Sequence, residues 1–331
     1  MNTIIEIINT IKGVAVLPSF YFSIIQSAAP LVLAGMGCSI AAKANSTNMG
    51  MEGIMTVSAL SAVLVSSALG GVGIGPWAGL VVAIIAGAVL GYLVSFFAFR
   101  LKIDIVLVGI AMNLIGAGAA IYLMYSLTGD RSTTTSIISG SLPRVAIPGI
   151  EKIPVLGQIL SGHYVLTYFA YVLIFVMAFL IFKTRLGLRI RAVGENQDAA
   201  ESVGISSLKI KTIALVISGA IGGIAGAYMS ECYLTYFSSG LIAGRGFVGL
   251  AACNMGAGNP TIVGLCCVIF GVFYAFSNFA SLSELSPYAL MALPYVTVMV
   301  GVVIYSIYRR KKELERLRGL DSEEKLEQKV S

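Results

Sequence analysis

Residues 53–99 read GIMTVSALSAVLVSSALGGVGIGPWAGLVVAIIAGAVLGYLVSFFAF, without one Asp, Glu, Lys or Arg. A helix needs about 20 apolar residues to cross a bilayer, so this run supplies two passages. The turn GGVGIGPW, Gly70–Trp77, divides them, because glycine and proline punctuate helices. Further uncharged runs cover 105–129, 212–230, 246–283 and 285–308. Together these runs predict spans near 21–42, 53–70, 76–99, 104–127, 163–183, 208–231, 261–280 and 285–307. Residues 246–257 are apolar but too short to cross straight. They read as a re-entrant segment or half of a broken helix, tolerated at membrane depth only where protein or water covers the backbone.

Composition agrees with this pattern. The chain has 331 residues, 57% hydrophobic and 11% charged, and a mean hydropathy of +0.90. Soluble domains run near a quarter charged, and a water-facing surface could not be built from so few polar residues. The expected fold is an all-α integral membrane protein, a bundle of about 8–10 transmembrane helices. The start, MNTIIEIINTIKG, sets Glu6 in its apolar face and has no small-residue cleavage site. Residues 1–20 therefore read as an amphipathic interfacial segment rather than a signal peptide. Cys38, Cys232, Cys253, Cys266 and Cys267 show no metal-ligand spacing and read as packing residues.

Basic residues fix the expected orientation. They gather at Lys43, at Arg100 and Lys102, from Lys183 to Arg191 with Lys209 and Lys211, and from Arg309 to Lys312. Counting one crossing for 246–257 puts all four groups on one face. Short cytoplasmic loops collect Lys and Arg, so that face is expected to be the cytoplasm, with the carboxyl terminus inside. The net charge of +6 then needs no nucleic-acid partner. The loop 128–162 falls outside and is rich in Ser, Thr, Gly and Pro. The tail 308–331 mixes charge signs at helical spacing, as a solvated cytosolic helix does.

Residues 185–205, RLGLRIRAVGENQDAAESVGI, form a charged island between two membrane-length runs. Asn196 is a good N-cap, QDAAESV can make two turns, and Gly204 suits the position after a helix end. Ala199 and Ala200 give the short helix a flat face. Such a face can fit a groove on another protein, or the segment can be an ordinary solvated loop.

This island resembles the coupling segment of the membrane-spanning permeases of ATP-binding-cassette importers, in the branch serving simple sugars and nucleosides. A T-R-x-G-x-x-x-R-A-x-G-x-N-x-x-A-A-x-x-x-G-I pattern is filled by Thr184, Arg185, Gly187, Arg191, Ala192, Gly194, Asn196, Ala199, Ala200, Gly204 and Ile205. STNMGMEGIM, Ser46–Met55, resembles the same family's N-I-G-x-E-G segment, with Met49 in place of Ile. SGAIGGIAGAY and GRGFVGLAACNMGAGNP resemble its later glycine-rich and G-R-G-F segments. The likeness runs from about 22 to 307. It departs at NMGAGNP, where many relatives carry a bulkier basic stretch. It departs also in lacking a complete first span, which nucleoside-type members often lack.

The resemblance implies a permease domain over 21–307, with a cytoplasmic coupling loop at 184–207 and an external loop at 128–162. It implies a second permease subunit, identical or homologous, a cytosolic ATP-binding subunit, and a substrate-binding protein, soluble or lipid-tethered, outside. ATP would sit on that partner. The chain itself shows no G-x-x-x-x-G-K-[ST] phosphate cradle and is expected to hold no cofactor or metal and to be no enzyme. The coupling residues implied are Arg191, Gly194, Glu195, Asn196, Ala199, Ala200 and Gly204.

Pathway candidates come from the residues themselves. Glu52 with Asn48, Gly50 and Gly53 suggests a broken helix with freed backbone groups, a binding-site device of transporters, or a Glu that pins the break against a neighbouring N–H. Asn113, inside an apolar span, reads as interhelical glue or a cargo ligand. Tyr236 and Phe237 could stack on a base or sugar, or belong to an aromatic belt. Ser218, Gly219, Gly222, Gly223 and Gly226, and likewise Gly87 and Gly91, form small-residue stripes for close helix packing. Arg245 either pairs with an acid or marks an interface, and His163, the single histidine, begins a span at the outer edge.

The function expected is the membrane subunit of an ATP-driven importer for nucleosides or simple sugars. Alternatives are a branched-chain amino acid permease of related design and an ion-coupled secondary transporter. The latter predicts paired deep acids and an internal repeat. An intramembrane enzyme would need convergent His, Asp or Glu.

Overall fold

The computed structural model describes residues 17–146, 156–280, 292, 294–307 and 310–311. Residues 1–16 of the expected amphipathic start, all but two residues of the charged tail, and residues 285–291 and 293 of the last predicted span lie outside them; Pro18 to Phe20 of that start instead open the first described helix.

The first described helix, α1, spans Pro18–Lys43, and Pro18 occupies its first turn, where a missing N–H costs nothing. Every residue from Ser27 to Ala41 is buried, so α1 is the axis of the bundle, apolar on all sides as a central helix must be. Around it stand α2 (Met51–Ala68), α3 (Gly75–Ser95) with its π-helical extension π1 (Phe96–Arg100), and α4 (Ile105–Thr128). The connection from α4 to the next long helix carries β1 (Arg144–Val145), α5 (Leu156–Leu160) and β2 (His163–Tyr164). The two strands pair antiparallel, Arg144 opposite Tyr164 and Val145 opposite His163. Next come α6 (Val165–Lys183), α7 (Arg185–Glu195), α8 (Gln197–Ser202), and α9 (Ser207–Ala227) with its π-helical end π2 (Tyr228–Tyr233). Last come α10 (Arg245–Met255), α11 (Pro260–Ala280) and α12 (Pro294–Ile307). Among the described residues, seven helices are long and apolar enough to span a membrane.

Their two kinds of surface explain the packing. Helix α3 turns Gly79, Ala83, Gly87 and Gly91 inward and leaves Val81, Ile85, Val89 and Tyr92 exposed. With apolar groups outside as well as inside, lipid gives no hydrophobic reason for helices to associate; small residues allow close van der Waals contact instead. A side chain at Gly87 would meet the Gly219 carbonyl, and one at Gly91 the Leu215 carbonyl. The two glycine stripes therefore lie against each other, holding α3 to α9.

Three of the four basic groups meet at one end of the bundle. Gly194 of α7 lies against the Lys43 carbonyl, and Lys211 Nζ sits 5.6 Å from the Phe99 ring. Only Arg310 and Lys311 of the fourth group are described.

Candidate functional site

Two interruptions in the helices meet inside the bundle. The first is the link from Ala44 to Gly50, which delays the start of α2. Asn48 is fully buried; its Nδ2 donates to Ser218 Oγ at 3.0 Å, and its Oδ1 accepts from Gly50 N at 3.1 Å. Asn113 closes the break from α4: Oδ1 accepts from Gly53 N at 2.9 Å, and Nδ2 donates to the Met49 carbonyl at 2.8 Å. Each backbone group left unpaired here would cost about 1–3 kcal/mol, so the two amides act as substitutes for the missing helical turn.

The second interruption is the linker 234–244 between π2 and α10. Helix α10 has 11 residues, about 16 Å at 1.5 Å per residue, half of what a crossing needs. The linker supplies the rest. At its outer part, Thr134 N donates to the Phe237 carbonyl at 2.9 Å, Phe237 N to Thr134 Oγ1 at 3.0 Å, and Ser239 N to the Ser132 carbonyl at 2.9 Å. Ser139 Oγ donates to the Thr235 carbonyl at 2.7 Å. At the far end of α10, the Gly258 carbonyl accepts from Ser39 Oγ at 2.7 Å beside Lys43. Linker and half-helix together thus run from the loop end of the bundle to the basic end. The sequence left re-entry and crossing open; the contacts decide for one broken crossing.

Glu52 joins the two breaks. Its Oε1 accepts from Gly244 N at 2.7 Å and its Oε2 from Gly246 N at 2.8 Å. The carboxyl group thereby caps the exposed donors at the start of α10, where the helix dipole is positive. A Cβ at position 246 would strike the Glu52 backbone, so glycine is required for the approach. Arg245, between the two capped positions, is buried: its guanidinium carbon lies 5.3 and 5.1 Å from the Tyr233 and Tyr274 rings, and Nη1 donates to the Ile242 carbonyl at 3.1 Å. It anchors the linker through the Leu241 and Ile242 carbonyls.

Between these parts lies a cavity of about 140 Å³, lined by Glu52, Thr56, Asn113, Phe237, Ser239 and Ala243 among others. Glu52, Asn113 and Phe237 come together in it from distant parts of the chain. Asn48 sits outside the lining on Ser218, and Tyr236 is half-buried and also absent from it. Sequence reasoning missed Thr56 and Ser239. Thr56, one turn after Glu52, shares its face and donates to its carbonyl at 2.7 Å, a spacing that was legible. Ser239 reaches the cavity only through the pairing of its linker with the 132–139 loop.

The island at the basic end is built largely as its residues predict. Thr184 Oγ1 caps α7 by accepting from Gly187 N at 3.1 Å, and Asn196 Oδ1 caps α8 by accepting from Ala199 N at 3.0 Å. Gly204 follows α8 at φ +83°. Helix α8 has six residues, less than the two turns anticipated. The flat alanine face is divided: Ala199 is exposed, but Ala200, 4% exposed, packs into the chain's own core. Glu195 is exposed and Arg191 half-buried, 5.6 Å from the Phe182 ring. The surface that α8 offers is therefore Gln197, Asp198, Ala199 and Ser202, with Val203 beyond it 73% exposed. His163 is buried against Phe22, ring centroids 3.9 Å apart, in the 144–164 hairpin, and does not line the cavity.

Residues 20–307 match the family described as the permease component of the branched-chain amino acid transport system. The chain is 32% identical to a guanosine ABC transporter permease protein of Bacillus subtilis (strain 168), over 83% of this chain and 88% of the relative. It is 28% identical, with the same coverage, to a nucleoside ABC transporter permease protein of Lactococcus lactis subsp. cremoris. A putative glucose ABC transporter permease protein of Haloferax volcanii is 28% identical over 86% of each chain.

Proposed function

The chain belongs to that permease family, a multi-pass membrane subunit of an ATP-binding-cassette importer rather than an enzyme, and from that premise we propose that its cargo is a nucleoside. Simple sugars are the next class. The ion-coupled alternative falls with the family assignment, and the relatives' names favour nucleosides and sugars over amino acids.

The observation that carries the cargo reading is the cavity between the two helix breaks. Discontinuous helices meeting inside the membrane are a recurrent way to build a transport site. Here the wall combines an aromatic face, Phe237, with the hydroxyls of Thr56 and Ser239 and the amide of Asn113. An aromatic face suits a base, and polar groups suit ribose hydroxyls. At about 140 Å³ the space is below the roughly 300 Å³ at which small-molecule pockets begin. Cargo therefore passes only when a wall parts, and the non-helical linker 234–244 is the wall suited to move.

In this reading the basic end faces the cytoplasm, with the carboxyl terminus on that side. The exposed surface of α8 and Val203 seats on a separate ATPase, Arg191, Gly194, Glu195, Asn196 and Gly204 shape the segment, and Ala200 holds it to the bundle. A binding protein delivers cargo at the 128–162 face, and a second permease subunit completes the pathway.

The test is competition. Cells expressing the transporter take up labelled guanosine, and excess unlabelled nucleosides, ribose, glucose or leucine is added. Nucleosides should suppress the signal at least tenfold more effectively than the others. Suppression by leucine but not by nucleosides would overturn the reading.

A further inference from the structure

The basic end holds two adjoining clefts that the transport pathway does not use. One, of about 300 Å³, lies between the end of α3 with π1 and the start of α9; Tyr92, Phe96, Arg100 and Lys209 line it. The other, of about 430 Å³, lies between the island and α9 and is lined by Arg189, Lys209 and Ile213 among others. Lys209 and Ile213 belong to both, so the two form one crease around the first turns of α9. No Asp or Glu lines either. A third cleft of about 590 Å³ nearby mixes Lys102 and Lys211 with Asp104 and Glu201 and has no such bias.

The crease is amphipathic along the bundle axis. Toward the middle its rim is apolar and open: Tyr92 is 50%, Phe96 38% and Ile213 40% exposed, continuous with the lipid-facing stripe of α3. Toward the end it carries three cations. An acyl chain fits the first part and a phosphate the second. We propose that this crease is a binding site for an anionic phospholipid, its headgroup phosphate held by Arg100, Arg189 and Lys209 and its chains lying over Tyr92, Phe96 and Ile213. Basic pockets between helices at the cytoplasmic surface recognise such headgroups, and each cation near the surface contributes about fivefold in affinity. A lipid here wedges the island against the α3–α9 pair, so it would brace the element proposed to meet the ATPase. The placement of that element rests on the permease reading above; the lipid site rests on the crease itself.

The experiment uses the detergent-purified complex with its co-expressed ATPase. Phosphatidylglycerol or phosphatidylcholine is titrated in, and bound lipids are counted by native mass spectrometry. At about fivefold for each of the three cations, the wild type should prefer phosphatidylglycerol roughly 100-fold. R100Q/K209Q should lose that preference by roughly 25-fold, at about fivefold per cation. K102Q/R185Q, which removes two cations of the same end that line neither cleft, should keep it. If the R100Q/K209Q chain does not assemble, R189Q alone should lose about fivefold. Equal retention of both lipids by the wild type, or equal loss in K102Q/R185Q, overturns the proposal and reduces these cations to general surface charge. Lipid preference lost while the ATPase still co-purifies leaves the permease reading standing. Lipid preference kept while no ATPase co-purifies sinks the reading and leaves the site.

Discussion

Glu52 accepts hydrogen bonds from two backbone N–H groups 192 and 194 positions away, and that makes it a cap before it is anything else. Replacing it with Ala should destabilise the purified chain by about 2–6 kcal/mol, since each of the two buried donors left unpaired costs about 1–3. Thermal unfolding in detergent measures this. An E52A chain as stable as wild type, yet dead in uptake, would instead make Glu52 a cargo ligand. Ala200 teaches the same caution. Because it is buried in its own chain, A200D should misfold the island, as an unpaired buried charge does. A199D and V203E lie on the exposed side and should leave expression and insertion intact while abolishing co-purification of the ATPase. Loss of the ATPase only in A200D would show the opposite face to be the docking one.

At the scale of elements, the contact between α3 and α9 depends on backbones approaching without side chains. G87L would place a side chain on the Gly219 carbonyl. Overpacking of this kind costs about 1–3 kcal/mol or more, so the variant should express poorly and unfold at lower temperature. An unchanged melting profile would mean the helices separate more easily than the packing indicates. These stripes were legible, as were the spans: 208–231 was expected where α9 with π2 covers Ser207–Tyr233, and 104–127 where α4 covers Ile105–Thr128. Absence of charge and period-four glycines are local signals, readable within one helix. Which face of α8 points inward was not local, because it depends on Ile205 and Ile210 of the core cluster that Ala200 joins. The bond between Glu52 and α10 was further out of reach, since nothing near residue 52 specifies residue 244. Only the alternative of a pinned break, raised by Gly50 and Gly53 around Glu52, anticipated its kind.

For the whole molecule, one broken crossing from the 132–139 loop to the basic end would, under the proposed reading, give the bundle a wall that moves without unfolding a helix. Its hinges are distinct. Arg245 between Tyr233 and Tyr274 and the Glu52 cap hold its inner end, and the 132–139 loop holds its outer end. Under the proposed reading, a binding protein arriving at that loop would act on Phe237, and an ATPase at the island would act on α1 through Gly194, which lies against the Lys43 carbonyl. The most direct measurement is ATP-driven guanosine uptake into vesicles by a T133C/S238C transporter. These two positions face each other in an antiparallel bridge, a separation that a disulfide spans. Oxidation should lock the linker, stop uptake and leave the ATPase attached, and reduction should restore uptake. Uptake at the full rate with the disulfide closed would contradict a pathway beneath this linker.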